Sequence, residues 1–388
     1  MLSENLHMSV RIVGWISVFA VFATLSLSLS ASRDASGEDK SPASAIPERK
    51  TIILQGGKIS VSQALAELTK QTGIRVEDAR GAPDETIHLD WKQTPFWQAL
   101  DALAAAAKAR VNIYPTSGRI VLDKRGADYQ LPPICYDGRF RLTVKKVTTS
   151  RDLEISDKKT EGGATNLLVE VAWDPELLPL YLETRPHRLR LVDDRNNVLT
   201  VPDEGNSPAP VDGRIALPID LHLPALPRRA MAIRSLEGEL SMIAPSKMLT
   251  FTFDTLDRLA KSKENDPERQ LIQEGVTCRI LEVKLLANRW TVRVALDYPR
   301  GMKQLDTNQS WVVNNEMTLE SLDGKKHLSS TDYHFESATA HGAILSYHFR
   351  DRADLPRGKA GSWRVRYRTP ANLIETPIKF AFKNIPLP

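Results

Sequence analysis

Cysteine is scarce: Cys135 and Cys278 are the two present in 388 residues. That count excludes a small scaffold stapled by disulfides. The two thiols read as small buried hydrophobes, and a bridge between them would join two separate domains. Aromatic residues are also few, at 6%, and nowhere interleave with a basic stripe. Lys and Arg together number 52 against 48 Asp and Glu, for a net charge of +4 with the signs interspersed. Nothing in this pattern resembles the electrostatic footprint of a nucleic-acid binder. The chain also lacks a nucleophile elbow, a zinc-protease helix and a phosphate-cradling glycine loop. No cofactor is implied.

What is present begins with an uncharged run. Ile12 to Ser32 carries no charged residue, lies between Arg11 and Arg33, and closes on the small residues Ser28, Ser30, Ala31 and Ser32. An apolar run with a small-residue exit is the pattern of a secretory signal. About 20 such residues also suffice to cross a bilayer. Residues 1–32 are therefore expected to be a signal peptide or membrane anchor of an exported, periplasmic or envelope protein. Membrane contact would run through residues 12–29 if the segment is retained. Residues 33–50 hold no large apolar side chain before Ile46 and read as a flexible linker.

At 388 residues, a prior of about 150 residues per domain suggests two or three domains. Within residues 51–125 one small unit recurs. Gln63-Ala64-Leu65 returns as Gln98-Ala99-Leu100, with Leu68 and Val76 returning as Leu103 and Val111. Thr51 to Leu54 reads as a strand. Ser60 and Gln63 have the capping-box spacing ahead of a helix whose stripe is Val61, Ala64, Leu65 and Leu68. Gly73 stops that helix, and Ile74 to Val76 reads as a strand. Ile87, Leu89 and Trp91 share one face of the next. Thr94-Pro95 opens a second helix with proline at its first position, and Phe96, Leu100, Leu103 and Ala107 are its buried stripe. A hairpin from Val111 to Leu122 turns at Ser117-Gly118. The order is βαββαββ, with two helices on one side of a small sheet.

This order, with Gln-Ala-Leu opening each helix and Gln71-Thr72-Gly73-Ile74 closing the first, resembles the secretin/TonB short N-terminal domain. The resemblance covers about 75 of the residues and implies a periplasmic module that docks proteins without performing chemistry. No array of barrel strands or secretin-like region follows, so neither transport nor secretion is implied.

Beyond Leu131-Pro132-Pro133 the hydrophobic period changes to two. Leu226-Pro227-Arg228 recurs as Leu355-Pro356-Arg357, Phe251-Thr252-Phe253 as Phe380-Ala381-Phe382, and Asp194 as Asp323, all 129 residues apart. Val169 to Ala172 with Asp174 likewise resembles Val292 to Ala295 with Asp297. The expected fold is multidomain: the small α+β domain, then two all-β immunoglobulin-like sandwiches at 134–256 and 273–388, joined by a charged linker at 257–272.

Four histidines, His327, His334, His341 and His348, are spaced by sevens. A hairpin centred on His341 would set Tyr333 opposite Phe349 and His334 opposite His348. Two imidazoles fall short of the three or four ligands a zinc site needs, so no metal site is expected. Asp193-Asp194 and Asp323-Gly324 fit turns better than paired catalytic carboxylates. No catalytic residue is assigned. Trp97 is the candidate partner-binding residue, placed beside the buried stripe in line with Asp101, Ala104 and Lys108 and so expected to be partly exposed. The expected function is non-enzymatic docking of an envelope protein partner. The alternatives are a carbohydrate or cell-wall module using Trp290, Trp311 and Trp363 as platforms, or an exported enzyme whose site is assembled from β-loops.

Overall fold

The computed structural model describes residues 51–388, apart from 115–118, 154–160, 204, 206, 287–288, 300–314, 339–340, 351–359 and 372. The export-type run, the linker, the Ser117-Gly118 turn and Trp311 therefore lie outside the described residues. The described residues begin with β1 (Thr51–Ser60), α1 (Val61–Thr72), β2 (Val76–Ala79), β3 (Thr86–Pro95), α2 (Phe96–Ala106), β4 (Ala109–Tyr114) and β5 (Arg119–Lys124). Ser60 and Gln63 close a full capping box on α1, satisfying donors that a helix start leaves open. Gly73 ends the helix at φ 77°, its N–H donating to the Thr69 carbonyl at 2.7 Å. Few residues other than glycine adopt that conformation without strain. Pro95 sits at the N-cap of α2 rather than inside its first turn. The strands form two sheets, where the sequence suggested one: β1 pairs antiparallel with β3, and β2-β5-β4 forms the other. Both sheets and both helix stripes bury into one core.

The remainder is mostly β. It comprises β6 (Ile134–Asp137), β7 (Phe140–Leu153), β8 (Glu161–Trp173), β9 (Tyr181–Glu183), β10 (His187–Asp193), β11 (Val198–Thr200), β12 (Pro208–Pro210), β13 (Ala216–Pro224), β14 (Ala232–Pro245) and β15 (Met248–Thr255). After α3 (Leu256–Lys261) follow β16 (Gln270–Gln273), β17 (Val276–Leu286), β18 (Arg289–Asp297), β19 (Glu316–Ser321) and β20 (His327–Ser329). The last four are β21 (Asp332–Ala338), β22 (Gly342–Arg350), β23 (Trp363–Pro370) and β24 (Leu373–Pro386). One core lies between sheet β13-β8-β7-β6 and the sheet holding β10, β14 and β24. The other lies between β16-β17-β18-β22-β21 and β15-β23-β19-β20. Alternation along β23, where Trp363, Val365 and Tyr367 are buried between half-buried arginines, shows how period two builds such a layer.

The sheets do not follow the linear boundaries expected from the repeat. β15, the end of the first copy, pairs with β23 in the second sheet pair. β24, the end of the second copy, pairs with β14 in the first. One antiparallel register runs from Ala232↔Pro386 through Pro245↔Leu373 and Met248↔Pro370 to Thr252↔Arg366. The Ala371 N–H continues it to the Lys247 carbonyl at 2.9 Å. The two copies thus exchange their last strands through a single two-stranded ribbon. The reason is local. Ser246-Lys247 and Ala371-Asn372 are not the Asn-Gly or Asp-Gly pairs that fold a two-residue hairpin, and neither Ser246, Lys247 nor Ala371 takes a positive φ. Across the described residues each arm continues into the other sheet pair.

β24 is anchored there by shape and by hydrogen bonds. Gly238 faces Phe380 across the ribbon, and a Cβ at Gly238 would lie 2.6 Å from the Phe380 ring. The Lys379 N–H donates to the Asp137 carboxylate at 2.7 Å. The expected linker at 257–272 holds α3, a short 3-10 turn and β16. Arg269, 5% exposed, donates to the Leu259, Ser262 and Leu281 carbonyls and to the Ser262 hydroxyl. Two of those acceptors, the Leu259 and Ser262 carbonyls, lie at the end of α3, where carbonyls lack partners within the helix.

Phe382→Ala, at a site 1% exposed on β24, should cost about 3–5 kcal/mol. Hydrogen exchange should locate the loss of protection in β7, β8, β10 and β14. Loss confined to β19 and β23 would contradict the exchanged topology.

Candidate functional site

Trp97 is not on the surface. It is 2% exposed and meets Phe96 edge-on, with ring centroids 4.9 Å apart. Its core cluster includes Ala172, Ile215 and Ala216 from the β region that follows. One turn along the same helical line, the Asp101 carboxylate accepts two bonds from Arg141, at 2.8 and 3.0 Å, and one from the Tyr136 hydroxyl at 2.6 Å. The partner of this helix face is the chain's own first sheet pair, which corrects the expectation of an exposed contact residue. Helical spacing identifies what lies in line with Trp97 but not what covers it.

The Arg141 side chain is 4% exposed, and Glu170 lies 3.8 Å from it. Burial disfavours its charge, yet Asp101 and Glu170 outweigh burial and hold its pKa above the ordinary value. Burial, helped by the Asp101 charge, pushes the Tyr136 phenol upward. This bidentate ion pair is geometrically demanding and fixes α2 against β7. No signal in the sequence joins residues 40 apart in this way.

A half-open cavity lies where the two sheet pairs meet. A volume of about 390 Å³ is lined by Leu177, Leu178, Leu180, Val211, Ile215 and Met248, with Arg214, Glu316 and Arg368 as its charged side chains. The first wall is a turn between Pro175 and Pro179, tied down by Leu177 N–H to the Asp174 carbonyl at 2.9 Å and Leu180 N–H to Ile243 at 2.8 Å. Val211 N–H bonds to Leu180 at 3.0 Å and brings in the segment carrying Arg214. Arg214 donates to the Val211 and Pro210 carbonyls at 2.9 Å each and to the Asp212 carboxylate at 3.2 Å. The opposite wall takes Met248 from the exchanged strand β15, Glu316 from β19 and Arg368 from β23. Arg368 reaches Glu316 at 3.3 Å, and both are about half exposed. Leu178, 54% exposed, stands at the rim. Alternation along Arg364, Arg366 and Arg368 signals that these side chains share the outer face. No sequence signal brings Arg368 to residues 175–180, because the strand exchange does so.

No protein-family model, curated protein or solved structure matches this chain. The site rests on its own geometry.

The other candidates resolve individually. Asp193 accepts from Arg195 N–H, Asn197 N–H and the Asn197 amide within 2.9 Å, and Asp323 accepts from Ser321 and Lys325. Burial opposes ionisation of Asp193, but these bonds outweigh it and hold its carboxyl below the usual range. Both acids are turn formers. The histidine hairpin is present as β21 and β22, but its register differs from expectation by two residues. His334 faces Ser346, Asp332 faces His348, and Tyr333 faces Tyr347. Tyr333 and Tyr347 pack at 6.1 Å between centroids, and a bulge after Phe335 supplies one residue of the offset. The two imidazoles are therefore not opposed. Among the described residues no cluster of His, Cys, Asp or Glu could hold a metal ion. Among them, too, no helix is long and apolar enough to cross a membrane. Trp290 and Trp363, at 8% and 3% exposure, are core residues rather than platforms.

Both cysteines are free thiols, Cys278 buried and Cys135 partly so. Burial pushes the Cys135 thiol up to about 12, partly offset by the Ala381 backbone of β24, and pushes Cys278 up as well. Both thiols are therefore poor nucleophiles at pH 8.

Two outcomes follow. Arg141→Met should cost about 3 kcal/mol by leaving Asp101 without its cation. A double-mutant cycle with Asp101→Asn should return a coupling of at least about 1 kcal/mol in denaturant unfolding. Aromatic disulfide reagents should leave both thiols unmodified in the native protein at pH 8. In Phe382→Ala, where β24 is loosened, Cys135 should react first and Cys278 should stay protected.

Proposed function

We propose that this chain is a non-enzymatic, exported envelope protein that works by docking another protein. It is read as a module of the secretin/TonB short N-terminal type followed by two immunoglobulin-like sandwiches with exchanged last strands. The uncharged run from Ile12 to Ser32 supports export. The βαββαββ order supports the module, and the paired sheets around two cores support the sandwiches.

One observation carries the docking role: the apolar cleft between the sheet pairs, with Arg214 and Arg368 at its edge and Leu178 left exposed. An apolar centre with a polar rim that includes arginine is the general anatomy of a protein interface. A helix face that serves as a contact surface in isolation is here covered by the chain itself. Docking is therefore assigned to the cleft rather than to Trp97.

The test places a photo-crosslinking benzoylphenylalanine at Leu178 in the full chain within the native envelope, with Leu286 (53% exposed) as control. The expected result is one discrete protein adduct at 178 that is absent at 286. No adduct at 178, or the same adducts at both positions, would remove the docking reading.

A further inference from the structure

We infer that the β region is a strand-swapped dimer made within one chain. Each copy of the repeat offers a groove that its own last strand cannot fill, and the partner that fits is the last strand of the other copy. The copies stand to each other as two subunits about a two-fold axis. Strands β11-β10-β14 with β24 in one sheet correspond to β20-β19-β23 with β15 in the other. At the 129-residue spacing of the repeat, Ala244 and Pro245 correspond to Leu373 and Ile374. The ribbon pairs Ala244 with Ile374 and Pro245 with Leu373, so each rung maps onto the other and the axis passes between them. Rungs further out obey the same rule. Met248↔Pro370 maps onto Ser241↔Pro377, and Phe251↔Tyr367 maps onto Gly238↔Phe380. Such reciprocity is the property of an isologous dimer interface, met here inside one polypeptide.

What each copy receives is a large piece of its core. Ile378, Phe380, Phe382 and Ile385 are buried in the first core, and Leu249, Phe251, Phe253 and Leu256 fill the same four positions of the repeat in the second. Removing either set would return that apolar area to water. Self-closure is opposed at both crossings by proline. A two-residue reversal at 246–247 would close on Pro245 and Met248, and one at 371–372 on Pro370 and Leu373. The residues flanking such a turn exchange N–H···O bonds in both directions, and proline has no N–H to give. In the exchanged ribbon the same four residues pair across the crossing instead, Pro245 with Leu373 and Met248 with Pro370.

The experiment inserts a specific protease site between Lys263 and Glu264, both exposed, in the full chain. Cutting there removes the covalent connection between the copies. The cut protein should remain one particle containing both halves. Tenfold dilution should lower its urea midpoint by about 0.5 M, as for a dissociating pair whose halves unfold on parting, and should leave the uncut chain unchanged. Paired cysteines report which strands are neighbours. Ser241→Cys with Pro377→Cys, opposed in the exchanged register, should join the halves of the cut protein on a non-reducing gel. Ser241→Cys with Thr252→Cys, opposed only if the arm reversed at 246–247, should stay reduced, because Thr252 faces Arg366. Halves that part as two folded sandwiches, a midpoint indifferent to dilution, absence of the 241–377 disulfide or formation of the 241–252 disulfide would each overturn the inference.

Discussion

The ribbon formed by β14 and β15 with β23 and β24 is the constraint on which the rest of the β region depends. Each of its two long arms begins in one sheet pair and ends in the other, and one register holds them together across the crossing. Each core is therefore completed by a strand from the other copy: Phe380 and Phe382 fill the first, Phe251 and Phe253 the second. Bending between the two would have to break ladder hydrogen bonds or strip apolar side chains from a core. The ordered segment around Arg269 joins α3 to β17 within the second sheet pair.

The cleft is a product of that crossing. Met248 is the first residue of β15, and its register partner Pro370 lies two residues from Arg368. The walls are thus set by the point where the ribbon passes between sheets, and the turn from Pro175 to Pro179 is held against them by backbone hydrogen bonds. A site built this way is preorganised, which lowers the ordering cost of binding. Its polar groups differ in freedom: Arg214 is fixed by carbonyls, while Arg368 and Glu316 remain about half exposed.

The α+β unit is joined by a different kind of interaction. Apolar contact through Ala172, Ile215 and Ala216 supplies area, and the Asp101, Arg141 and Tyr136 set supplies direction. A buried ion pair is costly unless well satisfied. Here the carboxylate accepts three hydrogen bonds and the guanidinium faces a second acid in Glu170. The cost of burial is offset by geometry, which ties the helix to one position on the sheet.

Local chemistry was legible in the chain itself. The capping box at Ser60 and Gln63, the stop at Gly73, the stripe of α1 and the alternation of Ile87, Leu89 and Trp91 depend on neighbours within a few residues. Short-range sterics and hydrogen bonding determine such features. The copying of Phe251-Thr252-Phe253 as Phe380-Ala381-Phe382 was legible too, and it marks the two strands that trade places. Which sheet each strand joins was decided only in three dimensions, because a strand's alternation states that one face is buried and not against what. The same limit hid the cover over Trp97, the two-residue offset of the histidine hairpin and the meeting of Arg368 with Leu178. Each depends on contacts between residues far apart in the chain, which periodicity does not encode.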